Sequence, residues 1–266
     1  MNSKLFSLEN RGIVLTGASG FLAAHFAEFL LQQGAQLALW DIRTEKAEEI
    51  ARKFPNQCIA QTVDITQPES IQEACDALDK QSFPWWGLVN NACINPRVED
   101  SGALSNKIKP DPEQWALELS VGITGAWNCS SIIGQKLADR GDGRIVNIGS
   151  DLAVIAPDQR IYLDPKTGEH PLKPATYSAI KAGIAGLTRY LATLWPDKGV
   201  RANTLSPAGV ANGQDPEFVE RLNSLIPIDR MCKPEDLAAP LIFLLSPGSS
   251  YVNGHNLLVD GGRTIW

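Results

Sequence analysis

Tyr177 and Lys181 stand four residues apart in Tyr177-Ser-Ala-Ile-Lys181. Residues at that spacing share one helix face, which sets an ammonium beside a phenol. A phenol titrates near about 10, so it must be depressed to serve as a base near neutrality. A neighbouring cation favours the phenolate, and lowering the phenol from about 10 to about 7 is worth roughly 4 kcal/mol. A second match, Tyr162-Leu-Asp-Pro165-Lys166, lies closer to Ser150 in the chain. Pro165 and the turn-forming Thr167-Gly168 break its helical geometry. Tyr177 instead opens an apolar-periodic stretch (Ala179, Ile180, Ala182, Ile184, Ala185, Leu187) with no proline before Pro196. Tyr177 is the acid–base candidate, and Tyr162 is placed on a loop.

Near the N-terminus, Thr16-Gly17-Ala-Ser19-Gly20-Phe21-Leu22-Ala23 joins an apolar run to an amphipathic one. A dinucleotide site requires this strand–glycine turn–helix context. Gly17 permits the tight turn. Gly20 lets backbone N–H groups, with those of Phe21 and Leu22 beyond, approach a pyrophosphate at the positive end of a helix dipole. A turn that merely contains glycines is the alternative. Asp41 weighs against it, because it ends the next apolar run 18 residues past Ala23. There a carboxylate meets a ribose 2′-hydroxyl and repels a 2′-phosphate, so NAD is favoured over NADP. Arg43 softens that preference.

These groups need a scaffold, and the hydropathy pattern supplies one. Strand-like runs fall at 12–16, 36–40, 58–63, 87–90, 143–148, 200–205 and 256–259. Amphipathic helices fall between them at 20–33, 44–54, 68–80, 112–139, 175–195, 216–225 and 234–245. Apolar strands hidden on both faces and separated by helices specify a parallel sheet covered on two sides. The expectation is α/β: one Rossmann-type, doubly wound domain over 1–266, with about seven strands. Long connections in a compact domain usually bind or cover ligands, which points to 93–111 and 151–174.

The chain has 266 residues, 44% hydrophobic and 20% charged, so disordered, collagenous and fibrous classes are excluded. Twenty-four basic against thirty acidic side chains give a net charge of −6, which argues against a nucleic-acid surface. Five cysteines without a Cys-x-x-Cys pair fit a reducing compartment, and three scattered histidines show no metal-ligand spacing. The first ten residues lack the apolar stretch of a signal peptide, and the longest apolar run, 237–245, is too short to cross a bilayer. A cytoplasmic location, no membrane and no metal are expected.

Taken in order, Thr16–Ala23, Val63-Asp64-Ile65-Thr66, Asn90-Asn91-Ala92, Ser150, Tyr177–Lys181, Asn203-Thr-Leu-Ser-Pro207 and Val259-Asp-Gly-Gly262 resemble the short-chain dehydrogenase/reductase family. The resemblance covers nearly the whole chain and implies a homodimer or homotetramer. It implies that Tyr177 exchanges a proton, that Lys181 also binds the nicotinamide ribose, and that Ser150 donates to the substrate oxygen. It further implies that Asp64 and Ile65 hold the adenine, that Asn91 and Ala92 floor the adenosine pocket, and that Pro207 and Val210 grip the carboxamide. Asp64 as a mere helix cap and Asn90 as a turn former are the structural alternatives. Trp127 and Trp195 are read as core or interface residues, with packing favoured, and not as substrate platforms.

The chain departs from the pattern in places. Gly122 stands where the family usually has an asparagine thought to hold a proton-relay water; water, Ser120 or Thr124 is expected to take over. Cys93 and Ala208 replace familiar glycines, and the Thr-Gly-x-x-Gly-x-x-Ala turn is similar to that of the family's extended subgroup. The length, however, is classical, too short for that subgroup's substrate domain. Most similar are oxidoreductases of bacterial sugar and surface-polysaccharide pathways, including nonulosonic (legionaminic-type) acid synthesis. The expected activity is hydride transfer between NAD and a secondary alcohol or ketone of a sugar, amino sugar or sugar nucleotide. Loops 93–111, 151–174 and 208–226 would hold this small-molecule substrate. The alternatives are a reductase of small apolar ketones or acyl thioesters, and a catalytically silent NAD-binding scaffold.

Overall fold

The computed structural model describes residues 5–95, 111–164, 166–168 and 170–266. Most of the 93–111 loop, Pro165 and the first four residues lie outside the described set. Seven strands, β1 (Gly12–Thr16), β2 (Gln36–Asp41), β3 (Cys58–Thr62), β4 (Trp85–Asn90), β5 (Gly143–Ile148), β6 (Val200–Pro207) and β7 (Asn256–Val259), form one sheet. Its order is β3-β2-β1-β4-β5-β6-β7, and every pairing is parallel. Winding runs outward from β1 in one direction and from β4 in the other. The strand order therefore reverses between β1 and β4, where a crevice opens at the carboxyl ends of the strands.

Two apolar layers hold the sheet. On one face α1 (Phe21–Gln32) and α8 (Ala238–Leu245) bury Phe26, Leu30, Leu241 and Leu244 against Leu15, Leu37 and Val146. On the other, α3 (Pro68–Lys80) and α5 (Ala126–Arg140) bury Ile71, Leu78, Cys129 and Ile133 against Val14, Trp40 and Leu88. Helices α2 (Glu45–Lys53), α6 (Ala175–Leu191) and α7 (Pro216–Asn223) complete the connections. Strand residues hidden on both sides explain why their runs read as continuous apolar sequence.

The largest departure from the expected elements is at 112–139. In place of one helix, α4 (Pro112–Leu119) passes through a π-helical turn, Ser120–Gly125, into α5. The turn is built around two glycines: a Cβ on Gly122 would meet Ile180 Cγ2 at 2.7 Å, and one on Gly125 would meet Ile65 Cδ1 at 2.6 Å. Such turns are rare and concentrate at functional sites. Residues expected to continue α6 to Trp195 instead form turns after Leu191, because Pro196 cannot continue a helix. The 234–245 helix starts as a 3-10 turn (Pro234–Leu237), and β6 runs on to Pro207.

Candidate active site

The carboxyl ends of the strands open into one cavity of about 1030 Å³. Gly17, Ser19, Gly20, Phe21 and Leu22 line one end of it, with Asp41 beside them. Gly17 has φ +65°, and a Cβ there would lie 2.8 Å from Ala92 Cα, so only glycine fits. Helix α1 begins at Phe21 with no acidic residue in its first turn and no side-chain cap. Its amino end is thus open to an anion, as a pyrophosphate cradle requires.

Asp41 is already anchored: Ser19 N–H donates to Oδ2 and Arg43 N–H to Oδ1, both at 3.0 Å. These bonds aim its carboxylate across the turn. Asp64 and Ile65 line the same wall, and Asp64 Oδ1 accepts from Thr66 N at 2.9 Å and from the Thr66 hydroxyl at 2.7 Å. These bonds close a local turn and not the helix cap foreseen as the alternative for Asp64, since α3 begins at Pro68 with Gln67 at its cap position. Asn91 ties β4 to the glycine turn, its Nδ2 donating to Thr16 O at 3.1 Å and to Gly17 O at 3.3 Å, and Ala92 follows it along the floor.

Ser150, Tyr177, Lys181, Pro207 and Val210 line the other end. Ser150 lies two residues past the end of β5, Tyr177 and Lys181 lie one turn apart on α6, and Pro207 ends β6. Lys181 Nζ donates to Ile148 O at 2.8 Å and lies 5.5 Å from the Tyr177 ring centroid. A buried chain of polar groups supports this end from below. Asn90 Nδ2 donates to Asn147 Oδ1 at 2.8 Å, and Asn147 Nδ2 donates to Thr188 Oγ1 at 2.7 Å. Asn90 therefore serves as a strand-end anchor rather than a turn former.

The expected depression of the Tyr177 phenol is not produced by the chain alone. Burial pushes the phenol well above its ordinary value, and the hydrogen bond to Ser150 offsets this only in part. Lys181 itself is turned toward the Ile148 carbonyl. The competing Tyr162 occupies a short 3-10 turn, Gln159–Tyr162, and packs on Phe218 with ring centroids 5.5 Å apart. It too lines the cavity, and burial raises it to about 12. Its sequence partner Lys166 is instead exposed and paired with Glu217.

Three expectations at Gly122 are revised. The side chain of Ile180 occupies the space where an asparagine or a water would stand. Thr124 is exposed and does not line the cavity. Ser120 does line it, but its hydroxyl donates back to Leu117 O at 2.8 Å. Restoring the family residue with Gly122→Asn should therefore overpack the helix contact, at a cost of about 1–3 kcal/mol. Thermal unfolding should show a melting temperature several degrees lower, with no gain in kcat; an unchanged melting point with faster turnover would refute the steric account.

Sequence reading missed three side chains. Asp151, buried beside Ser150, accepts from its hydroxyl at 2.7 Å and pairs with Arg263 at 2.8 Å. Lys173 enters from the proline-rich segment before α6. No local spacing marks any of the three; Asp151 was at least adjacent to a predicted site residue. Among the described residues no group of His, Cys, Asp and Glu could hold a metal ion, and no helix is long and apolar enough to cross a membrane.

A dinucleotide cradle at the switch point of a doubly wound sheet, sharing its cavity with a Ser–Tyr–Lys set, defines a nicotinamide-dependent oxidoreductase. A family model described as enoyl-(acyl carrier protein) reductase matches residues 17–264. The chain is 30% identical to an NAD-dependent glycerol dehydrogenase of Listeria innocua, over 98% of this chain and 97% of that protein. It is equally similar, at 30%, to a galactitol 2-dehydrogenase of Cereibacter sphaeroides, over 98% of each. Among solved structures, a gluconate 5-dehydrogenase from Burkholderia cenocepacia in complex with NADP and tartrate superposes with a TM-score of 0.84, at 26% identity and 98% coverage of both chains. The chain belongs to the short-chain dehydrogenase/reductase family.

Proposed function

We propose that the protein is an NAD-dependent dehydrogenase of open-chain polyols or closely related sugar derivatives. The observation that carries this reading is the single cavity, with the Gly17–Leu22 turn and Asp41 at one end and Ser150, Tyr177 and Lys181 at the other. A nicotinamide dinucleotide bound there supplies the hydride acceptor and, when oxidised, a positive charge near the phenol. Ser150 turns its one hydroxyl proton from Asp151 Oδ1 to the substrate oxygen, its own oxygen still held by the Leu152 N–H, and Tyr177 takes the carbinol proton. Lys181, fixed by the Ile148 carbonyl, holds the ribose and supports the phenolate. Asp64, Ile65, Asn91 and Ala92 enclose the adenosine, and Pro207 and Val210 face the carboxamide.

Asp41 supports NAD over NADP, since its carboxylate would repel a 2′-phosphate. Compared proteins include an NADP-dependent mannitol dehydrogenase of Alternaria alternata, so this preference is specific to the chain's own residues. The relatives favour simple polyols over the nonulosonic-acid setting. Segments 151–174 and 208–226 of the one domain, 1–266, contribute Tyr162, Lys173, Gln214 and Phe218 to the substrate end. The exposed Trp127–Tyr190 pair, with centroids 6.0 Å apart, supports assembly as a homodimer or homotetramer, and the same reading places the protein in the cytoplasm. A second reading, reduction of an apolar ketone or acyl thioester, draws on Ile161, Leu222 and Met231 in the same wall and on the family model's description.

Glycerol, threitol, galactitol and acetoacetyl-CoA, each with both cofactors, test these readings through NAD(P)H absorbance. The expected result is polyol oxidation, with kcat/KM about tenfold or more higher for NAD than for NADP. Asp41→Ala should narrow that ratio. Turnover of the thioester alone would favour the second reading, and no turnover with any polyol would end the first.

A further inference from the structure

Lys173 is a cation at the substrate end that neither the cofactor cradle nor the Ser–Tyr–Lys set employs. Its backbone is clamped by a single side chain. The Lys173 N–H donates to Gln159 Oε1 at 2.9 Å, and Gln159 Nε2 donates back to the Lys173 carbonyl at 3.4 Å. The Gln159 carbonyl is itself bonded to His170 Nε2 at 2.7 Å. With its origin fixed in this way, the side chain reaches into the cavity. Its Nζ sits 4.1 Å from the Tyr177 ring centroid and donates to Asn95 Oδ1 at 2.8 Å.

An ammonium has three donors, and Asn95 takes one of them. Among the described residues Lys173 makes no ion pair. The carboxylates that act on it are engaged elsewhere: Asp151 with Arg263 and Ser150, Glu118 with Thr176 and Gln114. The other groups that act on it are Cys93, half-buried, and the like-charged Lys181. Burial lowers the Lys173 ammonium to about 8, as expected of a charge withdrawn from water without a counter-ion among the described residues. A charge held this way is stabilised when an anion arrives.

The other cations of this end already have a role or a partner, Lys181 being assigned above to the cofactor ribose. Lys181 is directed at the Ile148 carbonyl, and Arg263 is neutralised by Asp151. We propose that Lys173 determines substrate specificity, and that the preferred substrate is an anionic polyol whose carboxylate pairs with Lys173 while a nearby carbinol faces Tyr177. The inference rests on the dehydrogenase reading above and narrows its substrate class to hydroxy acids. Because the ammonium overlies the Tyr177 ring, the carboxylate sits close along the carbon chain to the reacting carbinol.

Aldonates and alditols of matched chain length test this directly: D-gluconate against D-sorbitol, and D-threonate against D-threitol. Steady-state rates with NAD⁺ are measured for wild type, Lys173→Met and Lys173→Arg. Calorimetric binding of D-gluconate to the NADH-loaded proteins is measured in parallel. Wild type should favour the aldonates in kcat/KM by about tenfold or more, the scale of one charge-assisted hydrogen bond. Lys173→Met should erase that ratio through KM and weaken gluconate binding about as much, and Lys173→Arg should retain both. Equal losses on aldonates and alditols in Lys173→Met would overturn the inference, assigning Lys173 to the ionisation of Tyr177 instead. A wild type that prefers alditols would overturn it as well. If no polyol turns over yet gluconate binding still depends on Lys173, the dehydrogenase reading falls and the anion site stands.

Discussion

Tyr177→Phe should lower turnover by roughly 10²–10⁴-fold, the usual worth of a positioned acid–base group, while leaving NADH binding near the wild-type level. The substitution deletes one hydroxyl from a ring whose carbon frame is held by α6, so the glycine turn and Asp41 at the far end of the cavity are untouched. The pH profile carries the sharper signature. Burial raises the Tyr177 phenol, and the Ser150 hydrogen bond recovers only part of that. Alcohol oxidation needs the phenolate, so its rate should climb as pH rises; ketone reduction needs the protonated phenol and should fall along the same axis. Both limbs should vanish in Tyr177→Phe. Stopped-flow rates in the two directions, with fluorescence titration of NADH, provide the measurement. Retention of activity within about tenfold of wild type would remove Tyr177 from the proton transfer.

What could be read in the sequence and what could not divide along range. The glycine turn is legible because Gly17, Gly20 and the start of α1 lie within a few residues, and the backbone alone dictates which types fit. Tyr177 and Lys181 are legible because one helical turn relates them, and Pro165 sufficed to set the rival pair aside. Parallel strands were visible as buried apolar runs. The π-helical turn at Ser120–Gly125 was not, because its cause lies in Ile180 and Ile65, far away in the chain. Periodicity continues through such a turn without a break in composition. The same limit explains Gly122, which reads as a missing asparagine until the Ile180 side chain is seen in its place. It also explains Asp151, whose partner Arg263 follows the Gly261-Gly262 turn at the other end of the chain, where both glycines have positive φ.

Asp151→Ala is expected to be the most destabilising of the substitutions considered, at about 3–5 kcal/mol. Its carboxylate and the Arg263 guanidinium are 3% and 8% exposed, so each is the other's chief compensation for lost hydration. Removing one leaves the other charged, buried and unpaired, and the melting temperature should fall on the order of 10 °C. Replacing both partners by apolar residues of similar size, Asp151→Leu with Arg263→Met, should recover much of that loss, because no orphaned charge remains. Turnover should not recover with it. Asp151 Oδ1 also accepts the Ser150 hydroxyl, and Leu152 N–H reaches both side chains, so the carboxylate sets the serine's direction. Asp151→Asn separates the two roles, since the amide keeps an oxygen for Ser150 but offers Arg263 no charge. It should melt early yet retain more activity than the double variant. Calorimetry and initial rates across the three proteins decide the matter. If Asp151→Ala melts within about 2 °C of wild type, the buried pair contributes little and Arg263 has another partner. If Asp151→Asn is no more active than Asp151→Leu with Arg263→Met, the orientation of Ser150 does not depend on Asp151.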